Sequence, residues 1–317
     1  MEIGYVVRRL LSAVPTVLLV TFLVFIAIHI VPGDIVDMML GTQNYLTEAQ
    51  IRELYSEYGL DKPLIVQYGI WVKNLFTFNL GTSLRTGRSV KDLLADRFPV
   101  TFELALFSLL FALIIGIPLG VLSAVKRNSL TDNVVRVFGL VGLSSPSFWV
   151  GAILIVLVAG AFEGFNLFGY VAPTVNLTSN LQVMLLPSLT LGLMVSAQIL
   201  RMTRTSMLDV LNQDYVRTAR AKGVATRKVI MKHALRNALI PVVTLSGIQL
   251  GYLLGGTIVI ENMFALPGMG RLLLQAVNER DYPVVQGIVL FIGILIVLLN
   301  ILVDLIYTFI DPRVELS

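Results

Sequence analysis

Apolar residues arrive in long uninterrupted runs separated by short polar stretches. Six of these runs are near or above the ~20 residues that a helix needs to cross ~30 Å of hydrocarbon. They cover Leu10–Val31, Thr101–Ala124, Val134–Ala161, Val183–Arg201, Ala238–Ile260 and Val284–Phe309. Neither the alternation of a half-buried strand nor the amphipathic stripe of a soluble helix dominates them. The predicted architecture is an all-α polytopic membrane protein with six transmembrane helices. The first run follows Arg8 and Arg9 and ends in "VPGD" without a small-x-small cleavage site, so it reads as a retained anchor and not as a signal peptide.

Between the first two runs, residues 33–100 alternate in a helical period. "YLTEAQIRELYSEYGL" places Thr47 three residues before Gln50, the spacing of a capping box, with Leu54 and Tyr58 following at helical intervals. "PLIVQYGIWVKNLFTF" predicts a second amphipathic helix carrying Trp71, and "VKDLLADRF" a third. Short helices of this kind lie along a membrane surface. They either brace the bundle or dock an external partner. A further short helix, Gly270–Glu279, is expected after the Pro267-Gly268 turn, either bracing or lining an outer vestibule. The chain thus divides into an N-terminal end and first span (1–32), an external region (33–100) and a five-helix core (101–317) containing a polar loop at 202–237.

Composition agrees. Charged residues make up 14% of the chain and mean hydropathy is +0.82, against about 25% charged in soluble domains. There is no cysteine, which excludes disulfides and thiolate metal sites, and the two histidines, His29 and His233, make no His-rich metal site.

Charge changes the picture most in one place. Residues 201–236 hold nine Lys/Arg against Asp209 and Asp214, a larger excess than the +4 of the whole chain. One ionised side chain at mid-helix costs about 2.5–3.5 kcal/mol on insertion scales, so nine cations are expected in a loop outside the hydrocarbon. Lys/Arg in short loops mark the cytoplasmic side. Arg8/Arg9, Lys126/Arg127, this cluster and Arg313 fall together if both termini are cytoplasmic, and Arg136 at the inner end of the third span fits the same side. The loop Phe162–Gln182 carries no Lys or Arg.

The loop also has a pattern. Asp214–Lys222 is helical in composition, Gly223 stands where a C-cap is expected, and Thr226 is placed to cap a second helix through Arg236. Three readings are open: an ordinary positive loop, a helix-turn-helix for nucleic acid, and a docking element for a cytoplasmic protein. Tethering at both ends to nearby spans excludes nucleic acid. The helix–Gly–helix layout favours docking.

The motif "YVRTARAKGV…HALRNALIP" resembles the EAA-type coupling loop of ABC-importer permeases, in the form of the dipeptide/oligopeptide/nickel group. Against the general pattern, anchored on Gly223, only Ala219, Gly223 and Leu235 match. Arg217 and Thr218 stand at its first two positions, and His233 and Arg236 depart from it. The subgroup form "RTARAKG" matches far better. "RRLLSAVPTVLLVTFLVFIAIHIVPGD", "NLGTSL", "SSPSFW", "LPSLTLGL", "IENMFALPGMGRLLLQAVNERDYPVVQG" and "NILVDLIYTFIDPR" extend the resemblance to the B-type subunit over nearly the whole chain.

The resemblance implies a type I importer permease fold in a bacterial or archaeal plasma membrane, surrounded by lipid. It also implies a homologous second permease, two cytoplasmic ATPases that bind ATP and Mg, and an external solute-binding protein delivering di- or oligopeptides. Nickel chelates and oligosaccharides are the alternative cargoes. It places Tyr215, Arg217, Ala219, Arg220, Lys222 and Gly223 in contact with an ATPase.

The chain has no G-x-x-x-x-G-K-[ST], so it lacks the phosphate cradle of an ATPase, and no catalytic cluster or metal set stands out. Candidates for a solute path are Ser144, Ser145 and Ser147 around Pro146, Gln198 and Gln249 within spans, and Asp304 toward the inner end of the sixth. For each of these groups hydrogen bonding between helices is the competing role. Glu103 is expected at the outer interface, and Gly116-Ile117-Pro118 and Gly255-Gly256 as packing notches. An ion-coupled secondary transporter is the rival class. It would show repeated halves and ionisable groups at the midplane, which this pattern lacks.

Overall fold

The computed structural model describes residues 3–30, 33–34, 36–37, 47–162 and 164–310, the side chains of 3–13 and 304–310 excepted. It is all-helical among the described residues, apart from an isolated bridge between Thr82 and Ser89. The helices are α1 (Ile3–Ile30), α2 (Glu48–Glu57), α3 (Leu64–Leu75), α4 (Val90–Val125), α5 (Leu130–Ser144) and α6 (Ser147–Ala161). They continue with α7 (Leu177–Leu211), α8 (Asp214–Ala221), α9 (Leu235–Gly256), α10 (Ile258–Met263), α11 (Met269–Asn278) and α12 (Tyr282–Ile310). A turn at Thr226–Lys228 and a π-helical segment at Val229–Ala234 lead into α9.

Among the described residues, four helical stretches are long and apolar enough to cross a membrane: Val90–Val125, Leu177–Leu211, Thr226–Gly256 and Tyr282–Val303. The α5/α6 pair adds a fifth if it is one span. Within α1, Val14–Ile30 forms a shorter apolar helix.

Several expectations are revised. The third apolar run is not one straight helix. It breaks at Ser145-Pro146 and turns through 108°, because the residue before a proline is pushed out of the α region; Ser145 is extended at ψ 132°. "VKDLLADRF" is not a separate surface helix but the first turns of α4, which runs on through Pro99. The fourth span extends past Arg201 to Leu211, so Arg204 belongs to a helix and not to the polar loop.

The chain forms two compact units. The first comprises residues 1–100 and 267–297. Its core packs Val90, Leu93 and Leu94 against Met269, Ala276, Val284, Val285 and Ile288. Buried Asp281 accepts hydrogen bonds from Ser83 Oγ (2.5 Å) and the Leu84 amide (3.1 Å), which ties the loop before α4 to the start of α12. The capping box at Thr47 forms as expected: Thr47 Oγ1 accepts from the Gln50 amide and Gln50 Oε1 from the Thr47 amide. Tyr68 of α3 donates to the Leu18 carbonyl of α1 (3.2 Å) and packs edge-on against Phe22 and Phe25. These contacts hold α3 against α1.

The second unit comprises residues 101–266 and 298–317. Its centre is α7, which packs against α5, α6 and α9. Gly116 and Gly120 of α4 permit a close approach to the same helix. A Cβ on Gly116 would lie 2.8 Å from the Ser196 carbonyl oxygen, and one on Gly120 2.7 Å from that of Leu200. Residues four apart share a helix face, so the pair forms a small-xxx-small notch. The notch reading of Gly116 holds. Gly255-Gly256 instead stands at the end of α9. Glu261 is fully buried in α10 and accepts from Thr101 Oγ1 (2.7 Å) and Thr257 Oγ1 (2.8 Å).

Candidate functional site

The basic loop folds into a bracket. Helix α8 ends in a Schellman motif: the Gly223 amide donates to the Arg220 carbonyl (2.9 Å) and the Val224 amide to that of Ala219 (3.2 Å). Gly223 occupies the left-handed region at φ +76°, the conformation this cap demands and the one a Cβ disfavours. The predicted corner is therefore present. Thr226 does not cap the next helix: Ala225 holds the N-cap position and no side chain caps it. Nor is the second helix separate, since Thr226–Gly256 runs continuously into the fifth apolar span with Pro241 inside it.

Side chains close the bracket. Val216 is fully buried. Asn237 Nδ2 donates to Tyr215 Oη (2.8 Å), and Tyr215 Oη donates to the His233 carbonyl (3.4 Å). Tyr215 thus ties α8 to the next helix, a role its place in the motif did not indicate. Beneath the bracket, Ala124, Met207, Ala234 and Ala238 form a small apolar core.

The outer face of α8 is cationic. Arg217, Arg220 and Lys222 are exposed, Ala219 is half-buried, and Arg217 has only a loose 3.6 Å contact with Asp214. A second basic surface lies beyond it, an open groove lined by Arg227, Lys228, Lys232 and Arg236 around Ala225 and Met231.

Beside the bracket lies a charged cluster that sequence reasoning missed. Asp132 is fully buried and receives a two-pronged pair from Arg204, Nε to Oδ1 and Nη2 to Oδ2, both at 2.9 Å. Ser123 Oγ (2.5 Å) and the Asn128 amide (3.0 Å) complete its bonding. The cluster joins α4, α5 and α7 at the end nearest the bracket. Its local signal was Ser129, three residues before Asp132, which caps α5.

The expected path residues fall into three places. Ser144, Ser145 and Ser147 sit at the α5/α6 corner, where Ser145 Oγ donates back to the Val141 carbonyl (2.8 Å) and Ser144 is exposed. Gln249 Nε2 hydrogen-bonds Gln198 Oε1, joining α9 to α7. The Asp304 side chain lies outside the described residues. Glu103 is half-buried and accepts from Tyr170 Oη (2.9 Å). Burial, and then this bond to a carboxylate, push the Tyr170 hydroxyl well above the usual phenol range. Among the described residues no group of three His, Cys, Asp or Glu is placed to hold a metal ion.

Comparison with known proteins bears on this geometry. Residues 116–316 match the family model described as binding-protein-dependent transport system inner membrane component, and residues 2–105 match its N-terminal companion. The dipeptide transport system permease protein DppB of Alkalihalophilus pseudofirmus is 40% identical, with 99% of each chain covered. The Escherichia coli protein of the same name is also 40% identical, with 98% of each covered. Inward-facing structures of the MetNI methionine ABC transporter share the fold, with TM-scores of 0.56 and 0.52 at 20% and 21% identity, over 69% of this chain and 96% of theirs. Full-length similarity, the helical core around α7 and the bracket at Gly223 converge: the chain belongs to the family of inner membrane components of binding-protein-dependent transport systems.

Proposed function

We propose that this chain is a permease subunit of an ATP-driven importer of di- and oligopeptides, with α8 as the element through which ATPases drive it. Peptide cargo is supported by the names of its relatives. Counting α1 and the bent α5/α6 pair as one span each gives six spans with both termini cytoplasmic. The layout is then an anchor at 1–32, an external region at 33–100 and a permease core at 101–317. A homologous permease completes the pathway, two cytoplasmic ATPases bind ATP and Mg, and an external solute-binding protein delivers the peptide.

The observation that carries this reading is the bracket. A stroke that moves a two-state permease from 1:99 to 99:1 must deliver ~5.5 kcal/mol of differential binding. A flexible loop would dissipate it. Here α8 and its C-cap present Arg217, Arg220 and Lys222 outward beside the half-buried Ala219, the helix is locked at Gly223, and it is bonded through Tyr215 to the residues that open α9. Motion imposed on α8 therefore reaches α9, and the Gln249–Gln198 contact carries it to α7. The serine corner, the glutamine pair and Asp304 are the proposed polar lining of the path.

The test is uptake of a labelled dipeptide into proteoliposomes holding the complete complex, with binding protein and ATP supplied. Uptake should need hydrolysable ATP and resist collapse of ion gradients. Uptake that survives without hydrolysis but stops with an ionophore would overturn the reading. Arg217→Glu combined with Gly223→Pro should release the ATPases from the purified complex; their retention with normal uptake would remove α8 from the coupling path.

A further inference from the structure

A groove of about 360 Å³ runs between α5 and α7, lined by Arg136, Leu140, Leu143, Ala197, Arg201 and Thr205 over a floor of Gly139 and Leu200, with Arg204 at its end. The helices are antiparallel at this contact, so their residues sort by depth. Arg136 of α5 stands at the level of Arg201 and Thr205 of α7, while Leu140 and Leu143 lie toward Ala197. From Arg136 to Leu143 is about 10 Å along the helix at 1.5 Å per residue. One end of the groove is cationic and the other is apolar.

The charges at the cationic end are unequal in their commitments. Arg204 is spent on Asp132. Arg136 and Arg201 are exposed and, among the described residues, take no part in an ion pair. Two uncommitted guanidiniums therefore face one opening, with the Thr205 hydroxyl beside them donating to the Arg201 carbonyl. Paired arginines match the oxygens of a phosphate better than a single lysine does. The apolar end exposes Leu140 and Leu143, and buried Gly139 lets α5 lie close over Leu200, whose methyls would stand 3.6 and 3.9 Å from a Cβ there.

We infer that this groove is a binding site for one anionic phospholipid, its phosphate between Arg136 and Arg201 and an acyl chain along Leu140, Leu143 and Ala197. The inference rests on the proposed topology only so far as it puts the α5 start and α7 end at the cytoplasmic face. Both the polarity and the depth order of the groove match a lipid: charge at the water edge, hydrocarbon toward the membrane centre. Basic pockets between spans on the cytoplasmic side take such headgroups. A protein segment covering the groove would have to bring a carboxylate to the same two arginines, and the experiment separates the two cases.

The purified complete complex is placed in phosphatidylcholine nanodiscs containing a trace of photoactivatable phosphatidylglycerol or, in parallel, photoactivatable phosphatidylcholine. After illumination the labelled peptides are mapped by mass spectrometry. Phosphatidylglycerol should label residues 136–143 and 197–205 on the order of tenfold more than phosphatidylcholine, given about fivefold per arginine near an anionic headgroup. Arg136→Gln with Arg201→Gln should reduce that labelling to the phosphatidylcholine level, Arg136→Lys with Arg201→Lys should keep most of it, and Arg127→Gln should change nothing. Equal labelling by the two lipids overturns the proposal without reference to any variant. So does efficient cross-linking of Leu140→Cys to a neighbouring subunit, which is clean to read because the chain has no other cysteine. The labelling needs no transport: if peptide uptake proves ATP-independent while the lipid preference persists, the import reading falls and the lipid site stands.

Discussion

Gly223 shows how much one residue can decide. Nothing lies within 4 Å of a Cβ built there, so a substitution meets no clash and costs only the left-handed backbone at φ +76°. That cost is roughly 1–2 kcal/mol for a residue with a Cβ. Gly223→Ala should therefore leave the bundle folded while loosening α8, read as weaker ATPase co-purification at an unchanged expression level, and Gly223→Asn should be milder. Asp132 is the opposite case, a group whose surroundings leave no slack. Asp132→Asn strands the partly buried Arg204, and losing one partner of a buried pair costs about 3–5 kcal/mol; the partial exposure of Arg204 puts the expectation at the low end, measured as a fall in the melting temperature of the detergent-purified complex. Tyr170 offers a pH readout. Its hydroxyl is held neutral by burial and by Glu103, so the stability it contributes is whole below the ordinary phenol value of about 10 and is lost as pH rises through the raised one. In ultraviolet difference titration, Tyr170→Phe should leave the amplitude of the ordinary phenol step unchanged and remove one tyrosine from the phase at higher pH.

Among the elements, the contact of α4 with α7 depends on two absences. Gly116→Leu or Gly120→Leu would force side-chain atoms into the α7 backbone, and overpacking of this sort costs about 1–3 kcal/mol; reduced yield and a lower melting temperature are the expected results. The glutamine pair between α7 and α9 is weaker, since hydrogen bonds between membrane helices average about 0.6 kcal/mol. If it carries motion, Gln198→Leu and Gln249→Leu should lower peptide uptake per ATP hydrolysed more than they lower stability, with the double variant no worse than either single. Elements with local causes were legible in the sequence: the Thr47 capping box, the α8 corner at Gly223 and the short helix after Pro267-Gly268 depend on residues a few positions apart. The bend at Pro146 was not read, because hydropathy registers how apolar a run is and not which way it points, although three serines and a proline stood inside it. The Asp132–Arg204 pair was illegible for a different reason. Its partners are 72 residues apart, and in a charge count Arg204 is indistinguishable from the neighbouring loop cations.

Across the whole molecule, surface apolarity is the rule: large side chains such as Leu130, Val156, Leu157 and Tyr252 stand exposed, as they do on a chain whose solvent is lipid and other subunits. Among the described residues, buried polar groups that bond one another include Asp281 with Ser83 in one unit, and Asp132 with Arg204 and Glu261 with Thr101 in the other. Between α8 and α9 sits the π segment Val229–Ala234. A π turn holds one residue more than the α turn it replaces, and each residue added to or removed from a helix rotates the remainder of that helix by about 100°. This stretch is therefore where the chain can lose a residue and gain regular geometry. Deleting the exposed Met231 should therefore yield a well-folded protein with a regular α turn here and α8 aimed as before, read as unchanged ATPase co-purification, whereas a one-residue deletion in a regular turn of α9 should swing α8 by about 100°. Chain length, more than side-chain identity, would then be what aims the cationic face.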